Sequence, residues 1–172
     1  MINNHEKKFE EAILYIAKKS EMDEKYGSVK LNKLLFCSDF IAFAQFGQPI
    51  TNQEYQKLEK GPAPRRIIPV IDAMESKGDC AYQERIYYGH PQKRLLALRE
   101  PKLSCFSGDE IALIDQIINR YWGLNATNVS DKSHLFLGYD IVDMGETIPY
   151  ETVFVSNRSL SIEEKKYALK LK

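Results

Sequence analysis

Residues 30–47, KLNKLLFCSDFIAFAQFG, decide the fold. At about 100° per residue, Leu31, Leu34 and Ile41 fall on one side of a helix and Phe36, Phe40 and Phe43 on another. A helix that is apolar on more than one side belongs in the core. Asp39 nevertheless stands at its centre, with Leu35, Phe36, Ala42 and Phe43 as its neighbours three and four positions away. No local cation can neutralise it, so its partner has to come from elsewhere in the chain. Arg65 or a loop backbone amide is the expected donor. Asn32 lies on the same stripe, and both residues are expected to be structural polar anchors.

Outward from this helix, Phe9, Ile13, Ile16 and Ala17 have amphipathic spacing and predict a first helix over 4–20 with its charges in solvent. Ser28 is placed to cap the central helix. In 48–64, QPITNQEYQKLEKGPAP, Thr51 and Glu54 match a capping box, while Pro and Gly at either end favour a turn-rich crossing, so a short helix or an extended segment is expected. Pro64 suits the first turn of a third helix striped by Ile67, Ile68, Ile71 and Met74 and ending at Gly78. Arg65 and Arg66 would then oppose the helix macrodipole, and helix electrostatics does not account for them. A surface salt bridge, a bond to Asp39, an acidic patch on a partner and a phosphate all would.

Two extended runs, CAYQERIYY and KRLLALR, flank Gly89-His90-Pro91-Gln92 and read as a β-hairpin. Ser107 to Glu110 forms a second capping box ahead of a long helix carrying Ile111, Ile114, Ile117, Ile118 and Tyr121. A shorter helix is expected over 127–137, with His134 a hydrogen-bonded structural residue. YETVFV at 150–155 reads as a strand, and Ser161 to Glu164 as the cap of a closing, lysine-rich helix. The expected fold is α+β: a mainly helical single domain, 1–172, around a buried central helix, with a β-hairpin and a short additional strand. Its core covers about 5–140, and 150–171 form an appendage of strand and helix.

Lys plus Arg and Asp plus Glu both number 24, so the formal charge is zero and there is no general attraction to nucleic acid or anionic lipid. No run approaches the ~18 apolar residues of a membrane span, and the N-terminus lacks a signal-peptide core. A cytoplasmic location is expected. Cys37, Cys80 and Cys105 are odd in number and widely separated, which points to reduced, mostly buried thiols rather than a disulfide framework or zinc site. The phosphate-binding, dinucleotide-binding, metalloprotease and nucleophile-elbow motifs are all missing. His5, His90 and His134 have no ligand at metal-binding spacing. No catalytic, cofactor-binding or metal-binding residue is assigned.

The series KLNKLLF (30–36), Asp39, FGQPIT (46–51), Tyr55, GPAP (61–64), FSGDE (106–110) and Ser133-His134 resembles the Panacea domain of the SocA-like antitoxins of bacteria and their phages. The matches run in order from about 29 to 139. One departure is Gly138-Tyr139, where the family tends to place a tryptophan. The resemblance implies a non-enzymatic antitoxin that binds and neutralises a cognate protein toxin, with delivery to a protease such as a Clp-type complex as a further role. The contact surface is then expected around Tyr55, Gly61, Pro62, Pro64, Arg65 and Arg66, because Arg and Tyr are frequent interface anchors.

Two other readings compete. A helical body with a hairpin carrying Arg85, Lys93 and Arg94 can imitate a winged-helix DNA-binding regulator, although the neutral chain disfavours nucleic acid. The other is a small-molecule enzyme with a pocket near Asp39 and His134. Sequence does not fix the oligomeric state.

Overall fold

The computed structural model describes residues 4–134 and 136–155, with backbone alone for Asn4 and for 131–134. The expected helix over 161–171 and the side chain of His134 lie outside the described residues. Among the described residues, six helices and two small antiparallel sheets make an α+β, mainly helical fold. Helix α1 spans Asn4–Lys19, α2 Ser28–Phe46 and α3 Ile67–Ser76. Helix α4 spans Gly108–Tyr121, α5 Ala126–His134 and α6 Leu137–Asp140. Strands β1 (Tyr55–Gln56) and β2 (Ala63–Pro64) form one sheet, and β3 (Cys80–Tyr87) and β4 (His90–Ala97) the other.

Helix α2 is the hub. It touches α1, α4, α5, β2, β4 and a 3-10 turn at Tyr150–Phe154, and it is buried almost all round. Burying Leu31, Leu34, Leu35, Phe36 and Phe40 contributes about 1.5–3 kcal/mol for each side chain. The helix begins after Gly27 with no side-chain cap, so Ser28 does not play the expected role. It ends at Gly47, whose φ of 75° closes the last turn through an amide bond to Phe43.

The first helix departs from simple amphipathicity, because Glu10 and Glu11 are buried along with its apolar stripe. Glu11 is compensated: both its oxygens take Arg99 at 2.9 Å, and it accepts the Lys102 amide at 2.7 Å. Burial pushes its carboxyl up, but the Arg99 guanidinium and the Lys102 amide more than offset this and hold it below the ordinary glutamate value. The capping box of α4 is present in both directions, Glu110 N to Ser107 Oγ at 3.2 Å and Ser107 N to Glu110 Oε2 at 2.8 Å.

Three expectations are corrected. Helix α3 starts at Ile67 rather than Pro64, because Pro64 pairs with Tyr55 in the small sheet. The large hairpin turns at Tyr88-Gly89, with Tyr87 opposite His90, so it is tighter than the four-residue loop expected. Residues 150–154 are a 3-10 turn instead of a strand, and Thr152 bonds back to Pro149 through both its amide and its hydroxyl. Tertiary packing of Tyr150 on Phe40 overrides the β-propensity of this sequence. The extra extended pairing falls slightly earlier, where 145–148 run beside β1 with bonds Lys57 N to Glu146 O and Ile148 N to Tyr55 O.

Candidate functional site

Asp39 is fully buried, within hydrogen-bonding reach of the Tyr55 and Tyr150 hydroxyls, and the loop after α2 folds back to satisfy it. The Thr51 amide donates to Oδ1 at 2.7 Å, and the Thr51 and Tyr55 hydroxyls donate to Oδ2 at 2.5 and 2.8 Å. Thr51 therefore spends its side chain on Asp39 rather than on a capping box. The loop amide is the expected kind of donor; Arg65 is not involved. Burial raises the Asp39 carboxyl above its ordinary value, opposed by the bonds from Thr51 and Tyr55. A carboxylate so enclosed has no face open to a substrate. Asn32 is half-buried, and its side chain makes no hydrogen bond to the Asp39 cluster.

Two polar residues of α2 escaped sequence reasoning. Lys30 and Lys33 are as buried as Leu31, Leu34 and Leu35 of the same helix. Lys30 pairs with Asp23 at 2.5 Å and donates to the Leu124 carbonyl at 3.0 Å, joining the α1–α2 link to the chain after α4. Lys33 is 2% exposed and donates at 2.9 Å to the carbonyl of Pro62, in the GPAP turn. It has no carboxylate partner among the described residues, and burial lowers its ammonium to about 7. The signal was present: a helix buried on every side buries whatever lies at its lysine positions as well.

This bond shows what the GPAP turn does. Gly61, Pro62, Ala63 and Pro64 are all buried, and so is Tyr55. Their expected role as a partner surface is corrected accordingly: they receive Lys33 and carry the Asp39 cluster, and present no side chain to solvent. Arg65 and Arg66 are exposed, but each has work within the fold. Arg65 donates to the Gly145 carbonyl at 2.7 Å and to Thr147 Oγ1 at 3.0 and 3.1 Å, fastening 145–147 to the small sheet. Arg66 meets Glu6 of α1 at 3.0 Å. Because α3 starts at Ile67 with Arg66 as its N-cap, neither arginine stands inside its first turn.

The large hairpin lies across the α1–α2 link. Arg85 and Gln92 both donate to the carbonyl of Glu24, at 2.5 and 3.1 Å, and Arg94 donates to that of Glu21 at 2.7 Å. The Lys93 ammonium sits 3.8 Å from the Tyr82 ring centroid. The hairpin cations are thus turned onto the protein itself, which is not the geometry of a DNA-binding wing. Between the hairpin turn and the first residues of α2 and α5 lies a cavity of about 680 Å³.

No helix among the described residues is long and apolar enough to cross a membrane. A sequence model of the family described as "Antitoxin SocA-like, Panacea domain" matches residues 31–136, more than half of the chain. Comparison with curated proteins and with solved structures gave no match.

Proposed function

Starting from the fact that this chain belongs to the SocA-like antitoxin family with the Panacea domain, we propose that it is the antitoxin of a bacterial or phage toxin–antitoxin system and neutralises a cognate toxin by direct binding. The observation that carries this reading is the extent of the family match, which takes in α2 from Leu31, both small sheets, α3 and α4. The disposition of polar groups supports it. Asp39, Lys30, Lys33 and Glu11, the groups best placed by burial for unusual chemistry, are each occupied in holding segments together. Large apolar side chains, among them Ile68, Ile86, Tyr88, Trp122 and Met144, stand in solvent instead. That division suits a binding scaffold.

The toxin is a protein encoded beside the antitoxin, both act in the cytoplasm, and delivery of the toxin to a Clp-type protease is an additional role in keeping with the family. Arg66, beside the exposed Ile68, is the part of the originally expected surface that a partner can reach. The test is co-expression with the product of the adjacent gene: growth arrest is relieved, and the two proteins co-elute as a complex on size exclusion. A well-folded chain that neither relieves arrest nor co-elutes would refute the proposal.

A further inference from the structure

The tip of the large hairpin is unusual in its choice of residue. Tyr88 and Gly89 make the turn, both with positive φ, 47° and 78°, as a two-residue type I′ hairpin turn requires. Asn, Asp or Gly take the first of these positions readily. A tyrosine held there is strained. The fold gains little in exchange, because Tyr88 is 86% exposed and its aromatic contact among the described residues is with Tyr87, edge-on, with centroids 4.7 Å apart. Stability therefore does not explain the residue.

What lies beneath it does. Tyr87, Tyr88 and His90 line the 680 Å³ cavity together with Lys25 and Val29. That volume suits a short peptide segment. No aspartate or glutamate is among its lining residues. Neither the Lys25 ammonium nor the His90 ring is engaged by any described side chain, and Arg85 stands over the Tyr87 ring at 5.4 Å. The adjoining link carries Glu21, Asp23 and Glu24, none of which lines the cavity, and Asp23 is taken up by Lys30. The cavity is also lined by the first turn of α2, which has neither a side-chain cap nor an acidic residue.

Resting on the antitoxin reading, we infer that this groove is where the toxin docks, with Tyr88 and Tyr87 as anchors and an acidic segment of the toxin lying against Lys25 and His90. Aromatic anchors at the edge of a groove carry binding energy out of proportion to their number, and the missing carboxylates give the charge complementarity that sets orientation.

The turn chemistry supplies a clean test. Tyr88→Asn places a residue suited to positive φ, so the variant should melt at or above the wild-type temperature, whereas a merely structural tyrosine would lose stability. Binding of the purified adjacent-gene product, by calorimetry, should weaken about tenfold or more in Tyr88→Asn. Lys25→Glu should also weaken it, and wild-type affinity should fall with added salt. Glu100→Ala, at an exposed residue that does not line the groove, serves as the control and should bind as wild type. If wild type binds but Tyr88→Asn and Lys25→Glu bind equally well, the groove is refuted and the antitoxin reading stands. If only Tyr88→Asn weakens binding and salt has no effect, the acidic character of the segment is refuted. If wild type binds nothing and fails to relieve growth arrest, the antitoxin reading falls and the groove assignment with it.

Discussion

The hydroxyl of Tyr150 lies 3.4 Å from Oδ2 of Asp39, 111 residues earlier in the chain, while donating to the carbonyl of Gln53 at 2.6 Å. One carboxylate thereby ties together the middle of α2, the loop that follows it and the 3-10 turn at 150–154. The Tyr150 ring completes the contact by packing on Phe40 with centroids 4.6 Å apart.

Asp39→Ala leaves the Thr51 amide and two hydroxyls without their acceptor and should cost about 2–4 kcal/mol in urea denaturation. Asp39→Asn should cost clearly less, since its carbonyl can still accept from Thr51 and the hydroxyls can rotate to accept from the amide group. Because the folded state raises the Asp39 carboxyl, it holds that proton more tightly than the unfolded chain. The stability gained from protonation is present at low pH and is lost as pH rises through the folded value. Asp39→Asn should remove that dependence; equal losses in both variants would contradict this account.

Lys33 has the opposite sign. Its ammonium titrates near 7 in the fold against 10.5 ordinarily, so between these values the unfolded chain carries a proton that the folded one lacks. Stability rises with pH across that window, by at most about 1.4 kcal/mol per pH unit. Thermal melts from pH 7 to pH 9 should therefore show wild type gaining on Lys33→Met as pH increases. Parallel curves would mean that Lys33 is not the titrating group.

Gly138 has no space for a side chain: a Cβ there would collide with Thr152 Oγ1 and with Phe136 Cε1. Gly138→Ala should cost about 1–3 kcal/mol through displacement of the 3-10 turn. A melt within error of wild type would show that the turn yields freely.

The two neighbouring arginines should separate. Arg65→Ala loses the bonds that fasten 145–147 and should cost about 1–2 kcal/mol, with faster hydrogen exchange at the Lys57 and Gly145 amides. Arg66→Ala loses one exposed pair and should cost no more than about 1 kcal/mol. Equal effects would remove the distinction between a fastening and a surface bridge.

Duplex DNA should bind no more tightly than about 10 μM at physiological salt, since few cations are free to neutralise phosphates. Submicromolar retention of its own promoter in a gel shift would overturn this.

The helices were legible because their cause is local. Phe9 to Ala17, Ile111 to Tyr121 and the Ser107–Glu110 box declare themselves through spacing alone, and the buried α2 through its lack of a polar side. What was not legible depended on distant partners. Thr51 looks like a cap until Asp39 takes its hydroxyl, and YETVFV looks like a strand until Phe40 takes Tyr150. Pro64 looks like a helix start until Tyr55 pairs with it. The same limit applied to the site. Tyr55 and the GPAP turn are prominent in sequence because they build the interior, whereas the strain at Tyr88 is visible only once the turn has a backbone conformation.

Arg85, Gln92 and Arg94 hold the link between α1 and α2 by its main-chain carbonyls at Glu21 and Glu24. A grip on carbonyls is indifferent to which side chains the gripped residues carry. Exposed positions such as Met22 and Glu24 can therefore drift during evolution without loosening the hairpin. The same scaffold can in this way change the outward chemistry of that link to suit a new counterpart while its interior stays as it is.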